Sequence, residues 1–362
     1  MQHDPQRWRL RQLRHALHAA KLDAALLVHL PSIRYLTRFS GSNATVLVVE
    51  RSVHFFTDDR YAEQVKAELA QLPNLAVHIT REVLPEVATI CRSRGVTRLG
   101  IEERAMSVAN YRVFRKYARG VALRPLPPVE HLWMRKFPEE VEAIRAAARI
   151  ASTVYEEVLA LVRPGMRERD LAAELSYRTR QKGSEADAFE IIVVAGEHGA
   201  FVHGRASDRK LRKGDVVTVD FGCRVAGFHS DMTRTFAIGK PPKEALRAWE
   251  VVTSAHAAAL EHLRAGARAA AVDRAARQVI ERAGYGEYFR HSLGHGLGIE
   301  VHEAPALSPR NPNGVIPAEC VVTIEPGIYL PGRFGMRLED DVFVGRDRIE
   351  LLTTAPRQMI QL

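Results

Sequence analysis

Two short runs of this sequence nearly repeat each other, and each carries an acid in a stretch otherwise suited to burial. Residues 216–222 read VVTVDFG and residues 321–327 read VVTIEPG. Their Val, Ile and Thr content predicts strands, and side chains on a strand alternate between its faces. Val217 and Val219 therefore share one face, with Thr218 and Asp220 on the other; in the second run Val322 and Ile324 oppose Thr323 and Glu325. Buried strands draw on the same few apolar residues, so that part of the likeness is cheap. The acid inside each run is not. A buried carboxylate is costly unless it is paired, protonated or bound to a cation. Each run is followed by a second strand-like run with its own acid, Asp231 in SDMTRTF (230–236) and Glu339 in RLEDDVFV (337–344). Val225-Ala226-Gly227 separates the first two acids, and a turn at Pro331-Gly332 separates the second two. The pattern predicts an internal duplication, two hairpins and a pseudo-symmetric sheet. If the halves pack face to face, four carboxylates meet, and four negative charges match two divalent cations.

A site of this kind also wants an imidazole. Residues 291–303 read HSLGHGLGIEVHE. Gly294, Gly296 and Gly298 exclude a stable helix and permit close backbone approach. His291, His295 and His302 crowd into the same segment. A lone histidine is usually structural; three beside a predicted acidic cluster point to ligation and proton transfer.

The rest of the chain is organised around these segments. Its 362 residues are enough for two domains. Apolar residues make up 46%, enough for sizeable cores, and the 26% charged share is that of an ordinary globular protein. A helical pattern near 7–20 precedes an apolar strand over Ala24 to Leu30. Strands near 44–49 and 53–57 follow, then helices from Tyr61, near 84–93 and near 107–119; this alternation predicts an α/β domain. The run Pro125, Leu126, Pro127, Pro128 marks a boundary, because successive prolines resist helix and sheet alike. A long helix begins at Pro138, with Glu139 and Glu140 in its first turn, and runs to about Val162, before Pro164-Gly165. Further helices fall near 167–182, 243–264 and 269–284.

The net charge of +9 is spread over arginines interleaved with acids, without a basic block, so no nucleic-acid partner is expected. Cys91, Cys223 and Cys320 are spaced too widely for a zinc knuckle or a disulfide framework, which fits a reducing cytoplasm. Arginines interrupt Trp8, Leu10, Leu13 and Leu17, so the N-terminus lacks a signal-peptide core. No apolar run approaches membrane-spanning length.

The histidine segment resembles the signature of the proline-specific peptidases in the methionine aminopeptidase and prolidase superfamily. The linker MRKFPEEVEAIRAAARIA (134–151) and the N-terminal TDDRYAEQ (57–64) are similar to aminopeptidase P and prolidase. The resemblance spans the chain. It implies an α/β creatinase-like domain over residues 1–130 and an α+β "pita-bread" domain over 131–362, with a pseudo-symmetric, mainly antiparallel sheet.

By the same resemblance the metal ligands are Asp220, Asp231, His295, Glu325 and Glu339, with Asp231 and Glu339 bridging two ions. An oxygen-rich set with one imidazole suits manganese, with cobalt or zinc as alternatives; the resemblance favours Mn(II). The implied activity is hydrolysis of the bond between an N-terminal residue and a following proline. Glu325 would relay the proton of the attacking water. His302 would donate to the substrate carbonyl or amide, and His203, in AFVHG (200–204), would line the site and handle the proline amide. Val202 stands where relatives commonly have proline. His291 belongs to the same substrate-facing set. Arg337 lies two residues before Glu339 on the same strand face, where it would orient a carboxylate or contact substrate. Tyr329 and Phe201 are candidate pocket walls. His198 and His229 are read as ordinary structural residues, and Asp59 with Arg60 as a local turn pair. The implied partner is a peptide with proline second, and the implied assembly a homodimer. TDDRYAEQ leans towards aminopeptidase P; prolidase, which takes the dipeptide, is the alternative. The intact ligand set argues against creatinase, which uses no metal, and against a non-catalytic binding protein on the same fold.

Overall fold

Prolines and strand edges decide where this chain turns. In a computed structural model, residues 4–70, 72, 74–127 and 129–362 are described. The chain divides into two compact units, Met1–Trp133 and Met134–Leu362.

The first unit opens with helix α1 (Pro5–Ala19), capped by the Asp4 carboxylate, which accepts from the Gln6 and Arg7 amides. Strand β1 (Ala24–Leu27) is shorter than its apolar run suggests, because Leu30-Pro31 starts a second helix, α2 (Leu30–Thr37), with proline in its first turn. Strands β2 (Thr45–Val49) and β3 (Val53–Thr57), helix α3 (Ala62–Glu68), β4 (Leu75–Ile79), α4 (Val83–Ser93), β5 (Arg98–Ile101), α5 (Val108–Tyr117) and β6 (Ala122–Pro125) complete a six-stranded sheet in the order β4-β3-β2-β1-β5-β6. It is mixed: β1 runs antiparallel to β2 and parallel to β5. The proline run does not exclude sheet altogether. Pro125 ends β6, an edge strand, where the missing amide costs nothing. Pro128 lies outside the described residues. A short helix, α6 (Glu130–Met134), leads into the second unit.

The second unit shows the duplication in its element order. Helices α7 (Pro138–Leu159) and α8 (Glu168–Gln181) precede β7 (Ile192–Ala195), β8 (Val216–Phe221), the small hairpin β9 (Arg224–Val225) with β10 (Phe228–His229), and β11 (Met232–Ala237). Helices α9 (Lys243–His262) and α10 (Ala269–Arg282) then precede β12 (Gly294–Gly296), β13 (Glu303–Leu307), β14 (Cys320–Ile324), the hairpin β15 (Gly327–Leu330) with β16 (Phe334–Arg337), β17 (Asp340–Val344) and β18 (Ile349–Leu351). The larger sheets have the orders β11-β8-β7 and β13-β12-β14-β17-β18, so β8 and β14 occupy corresponding central places. Every pairing between these strands is antiparallel. No helix among the described residues is long and apolar enough to cross a membrane.

Strand alternation sorts the faces. Val217 and Val219 pack with Ala151, Tyr155, Leu171 and Leu175 from α7 and α8. Val322 and Ile324 pack with Val252, Ala255, Val272 and Ala276 from α9 and α10. Each half thus turns its apolar face to its own helix pair and leaves a polar face for the other half. Bonds cross that seam: Thr218 Oγ1 donates to the Gly335 carbonyl at 3.2 Å, and the Glu339 amide donates to the Thr233 carbonyl at 3.1 Å.

Leu171 is fully buried between α8 and β8. Replacing it with alanine should cost about 2–5 kcal/mol of stability, read as a lower urea midpoint by circular dichroism. An unchanged midpoint would contradict the packing of this helix pair as a core.

Candidate metal centre and active site

Asp220 stands at the end of β8, opposite Thr233 in the register with β11. The chain turns through Ala226 (φ +48°) and Gly227 (φ +79°) and returns to Asp231, just before β11. Asp231 is held from behind: its amide donates to the Asp341 carboxylate at 3.0 Å. In the other half Ile324 pairs with Asp340, so Glu325 and Glu339 adjoin the ends of β14 and β17. The Glu325 amide donates to the Leu293 carbonyl at 2.8 Å, and Glu339 Oε2 accepts from Thr233 Oγ1 at 2.6 Å.

The histidine segment is pinned by α10. Buried Asp273 accepts from the Leu293 amide at 3.0 Å, while Arg277 donates to the carbonyls of Phe289 and His291. Strand β12 then lies so close to β14 that a Cβ at Gly294 would come 2.0 Å from the Thr323 carbonyl oxygen, so only glycine fits there. That approach delivers His295. Its Nδ1 lies 3.0 Å from the Gly296 carbonyl, which can only accept, so Nδ1 carries the hydrogen and Nε2 keeps its lone pair. The lone pair faces Asp231 Oδ2 and Glu325 Oε1, each 3.6 Å away. Asp231, His295 and Glu339 bring one ligand atom apiece within 4.8 Å of one another.

Arg337 organises the other side. Its guanidinium donates through Nε to Thr233 Oγ1 at 2.8 Å, through Nη1 to the Tyr329 hydroxyl oxygen at 2.7 Å, and through Nη2 to Asp220 Oδ2. The Tyr329 hydroxyl in turn meets His291 Nε2 at 3.0 Å. His291 Nδ1 is 2.8 Å from the Ser292 carbonyl, so Nδ1 donates there and Nε2 accepts from tyrosine. The second Asp220 oxygen, Oδ1, is buried with no hydrogen-bond partner.

A cavity of about 550 Å³ brings together the residues expected to hold metal or act on substrate: His203, Asp220, Asp231, His291, His295, His302, Glu325, Arg337 and Glu339 line it. His302 stacks at a tilt on His295, with ring centroids 4.3 Å apart. The electrostatics are those of anions crowded out of water. Burial first, then Asp220, pushes Glu339 up to about 8, against the pull of Arg337. Burial and then Glu339 hold Asp231 and Glu325 well above the usual carboxylate range. Burial and then Arg337 push His291 down to about 3; burial and then His302 push His295 down to about 4; His302 is lowered by burial and then by His203. These three imidazoles are therefore neutral at pH 7 and available as ligands or as donors through one nitrogen.

Two expectations about the walls fail. Phe201 is 64% exposed and does not line the cavity. Tyr329 is buried and works behind the wall as the link between Arg337 and His291. His229 is structural, bonded to the Gly298 carbonyl. Arg60 pairs with Asp58, two residues away, and Asp59 with Arg81. The expectations had no place for Thr233 or Asp341. Both were within reach of the alternation rule, because Thr233 follows Asp231 by two and Asp341 follows Glu339 by two.

The residues fit divalent cations. An acceptor nitrogen facing acceptor oxygens, a buried carboxylate oxygen without a donor, and carboxyls driven up by mutual repulsion are all relieved by positive charge at the centre.

Comparison with known proteins agrees. Residues 142–346 match metallopeptidase family M24, and residues 9–136 match the creatinase/prolidase N-terminal domain. An Xaa-Pro dipeptidase of Pyrococcus horikoshii is 31% identical over 94% of this chain and 95% of its own. The structure of an Xaa-Pro dipeptidase from Bacillus anthracis superposes with a TM-score of 0.94 at 34% identity, covering 99% of this chain and 100% of that one. An X-Pro aminopeptidase from Thermotoga maritima gives 0.87 at 33% identity, covering 96% and 100%. The chain belongs to metallopeptidase family M24, with a creatinase/prolidase N-terminal domain ahead of its catalytic domain.

Proposed function

We propose that this protein hydrolyses the bond between an N-terminal residue and a following proline, using two divalent ions held by Asp220, Asp231, His295, Glu325 and Glu339. The observation that carries the reading is the His295 lone pair aimed at two carboxylates 3.6 Å away, beside Asp220, Asp231, Glu325 and Glu339, whose one lysine or arginine ion pair among the described residues is that of Asp220 with Arg337. Manganese is the proposed metal, because the donors are mostly oxygen. When bound, the ions would supply Lewis-acid polarisation and an activated water. The chain's own groups supply the rest. Glu325 accepts and returns the proton, the general acid–base role open to a carboxylate that lines the cavity beside His295. His302 and His203 donate to the substrate carbonyl and to the proline side of the bond. Arg337 fixes Asp220 directly and Glu339 through Thr233, and His291 fixes Tyr329 and thereby Arg337. The X-Pro bond has no N–H and carries a ring on its nitrogen, so an open cavity with side-chain donors suits it better than strand-like backbone pairing. A reducing cytoplasm and a homodimer belong to the same reading; the three buried free cysteines support the first.

Release of the first residue from longer peptides is the primary reading. A specific observation favours the dipeptidase alternative. Arg205 lines the cavity, and its ion pair is with Glu190, both side chains being largely exposed. An exposed pair is worth little, so this arginine is free to exchange its partner for a substrate carboxylate.

Stripping the metal should make stability strongly pH-dependent. Carboxyls raised in the folded state hold protons that the unfolded chain releases. Their contribution is therefore intact below the ordinary carboxylate range and lost as pH rises through about 8, the Glu339 value. The melting temperature of stripped protein should fall from pH 5 to pH 8.5, and Mn(II) should restore it most at the alkaline end; a flat or rising profile would contradict the assignment.

Metal-loaded enzyme assayed with Ala-Pro and Ala-Pro-Pro-Ala separates the two peptidase readings. Preference for the tetrapeptide establishes the aminopeptidase. Preference for the dipeptide, with Arg205→Ala raising its KM about tenfold, establishes the dipeptidase. Cleavage of neither with Mn, Co or Zn overturns both.

A further inference from the structure

One buried anion outside the cavity has no part in the chemistry above. Glu168 opens α8 and is completely buried, 0% exposed. Its carboxylate accepts from the Ala195 amide at 2.9 Å, from His198 Nδ1 at 2.8 Å, and from both the amide and the hydroxyl of Ser207, at 3.1 and 2.5 Å. Its own amide donates to the Arg209 carbonyl, and the next amide, Arg169, donates to the Ser207 carbonyl. A buried carboxylate persists only when its oxygens are satisfied, and the positive end of α8 adds to that.

The position of the donors matters more than their number. Ala195 ends β7 and Ser207 lies on the far side of the loop that follows, so one carboxylate ties together the two ends of residues 196–206. That loop presents Val202, His203, Gly204 and Arg205 to the cavity. Its middle rests on the strand that carries Arg337: a Cβ at Gly199 would lie 2.9 Å from the Gly335 nitrogen. The loop is closed at its base by Glu168 and seated at its centre on β16. His203 itself is solvent-exposed, so its placement depends on the backbone that carries it.

We propose that Glu168 is a positioning residue that clasps the 196–206 loop and so places His203 against the substrate. The proposal rests on the Xaa-Pro peptidase reading, in which His203 contacts the proline side of the bond. Glu168→Gln keeps the shape but turns an amide donor towards a set of donors. The loop base loosens while the metal ligands, on other segments, stay in place. Catalysis falls steeply with small misplacements of a contacting group.

The test is a double-mutant cycle in metal-loaded enzyme. Glu168→Gln should lower kcat/KM about five- to tenfold for whichever of Ala-Pro and Ala-Pro-Pro-Ala the enzyme prefers, with unchanged metal content and faster amide hydrogen exchange confined to residues 195–207. His203→Ala should lower it further. In the His203→Ala background, Glu168→Gln should then change kcat/KM by no more than about twofold, the range expected of coupled residues with nothing left to couple. If the two losses simply multiply, Glu168 acts by some route other than His203 and the proposal is overturned. Ser207→Ala, which removes one donor from the clasp, gives the same cycle should Glu168→Gln fold poorly. If wild type cleaves no Xaa-Pro substrate, the peptidase reading itself fails; if it cleaves and the cycle is additive, only the clasp does.

Discussion

Carboxylates buried side by side repel, and the second unit of this protein is built around that repulsion. Burial raises the affinity of Asp231, Glu325 and Glu339 for protons, and neighbouring carboxylates add to it, Glu339 acting on the first two and Asp220 on all three. A sheet with acids on its inner face cannot also use that face as a hydrophobic core. The helix pairs therefore lie on the outer faces, where Val217, Val219, Val322 and Ile324 meet them. The inner faces are joined by polar bonds instead, with Thr233 accepting from Arg337 and donating to Glu339. Arg337 is a single positive charge among several negative ones, so it orders the site without neutralising it. That leaves a deficit of positive charge which divalent ions are suited to fill.

The same crowding prepares the histidines. His291 and His295 are held neutral, and in each the Nδ1 hydrogen is spent on a backbone carbonyl of the next residue. Their Nε2 atoms diverge in role. One faces the carboxylates, and the other accepts from Tyr329 and so stiffens the arginine network. Two chemically identical side chains four residues apart acquire different functions from the partners that the glycine-rich backbone allows them to reach.

Much of this was legible in the sequence because it follows from a period of two. The acids at 220 and 325 oppose valine and isoleucine in strands of similar composition, and the structure puts them at corresponding places in two halves. The helices also follow from local signals, such as Pro138 with Glu140, whose carboxylate accepts from the Phe137 amide. Other features depend on contacts across long chain separations. Tyr329 reads as a pocket wall until its hydroxyl is seen between Arg337 and His291. Phe201 reads as a wall until its loop is seen to turn it outward. Glu168 carries no local signal at all, since a glutamate opening a helix is ordinary and its four donors lie 27 to 39 residues away. In the first unit, Leu30 reads by its apolar character as the end of a strand, whereas Pro31 after it favours a first helical turn and Leu30 opens α2.

The central claim is that two half-repeats meet to hold two divalent ions. Calorimetric titration of Mn(II) into the stripped protein tests it most directly. The account predicts saturation at two ions per chain, with the stoichiometry reduced when Asp231, expected to serve both ions, is replaced by asparagine. Saturation at one ion or none, in protein shown to be folded, would contradict it.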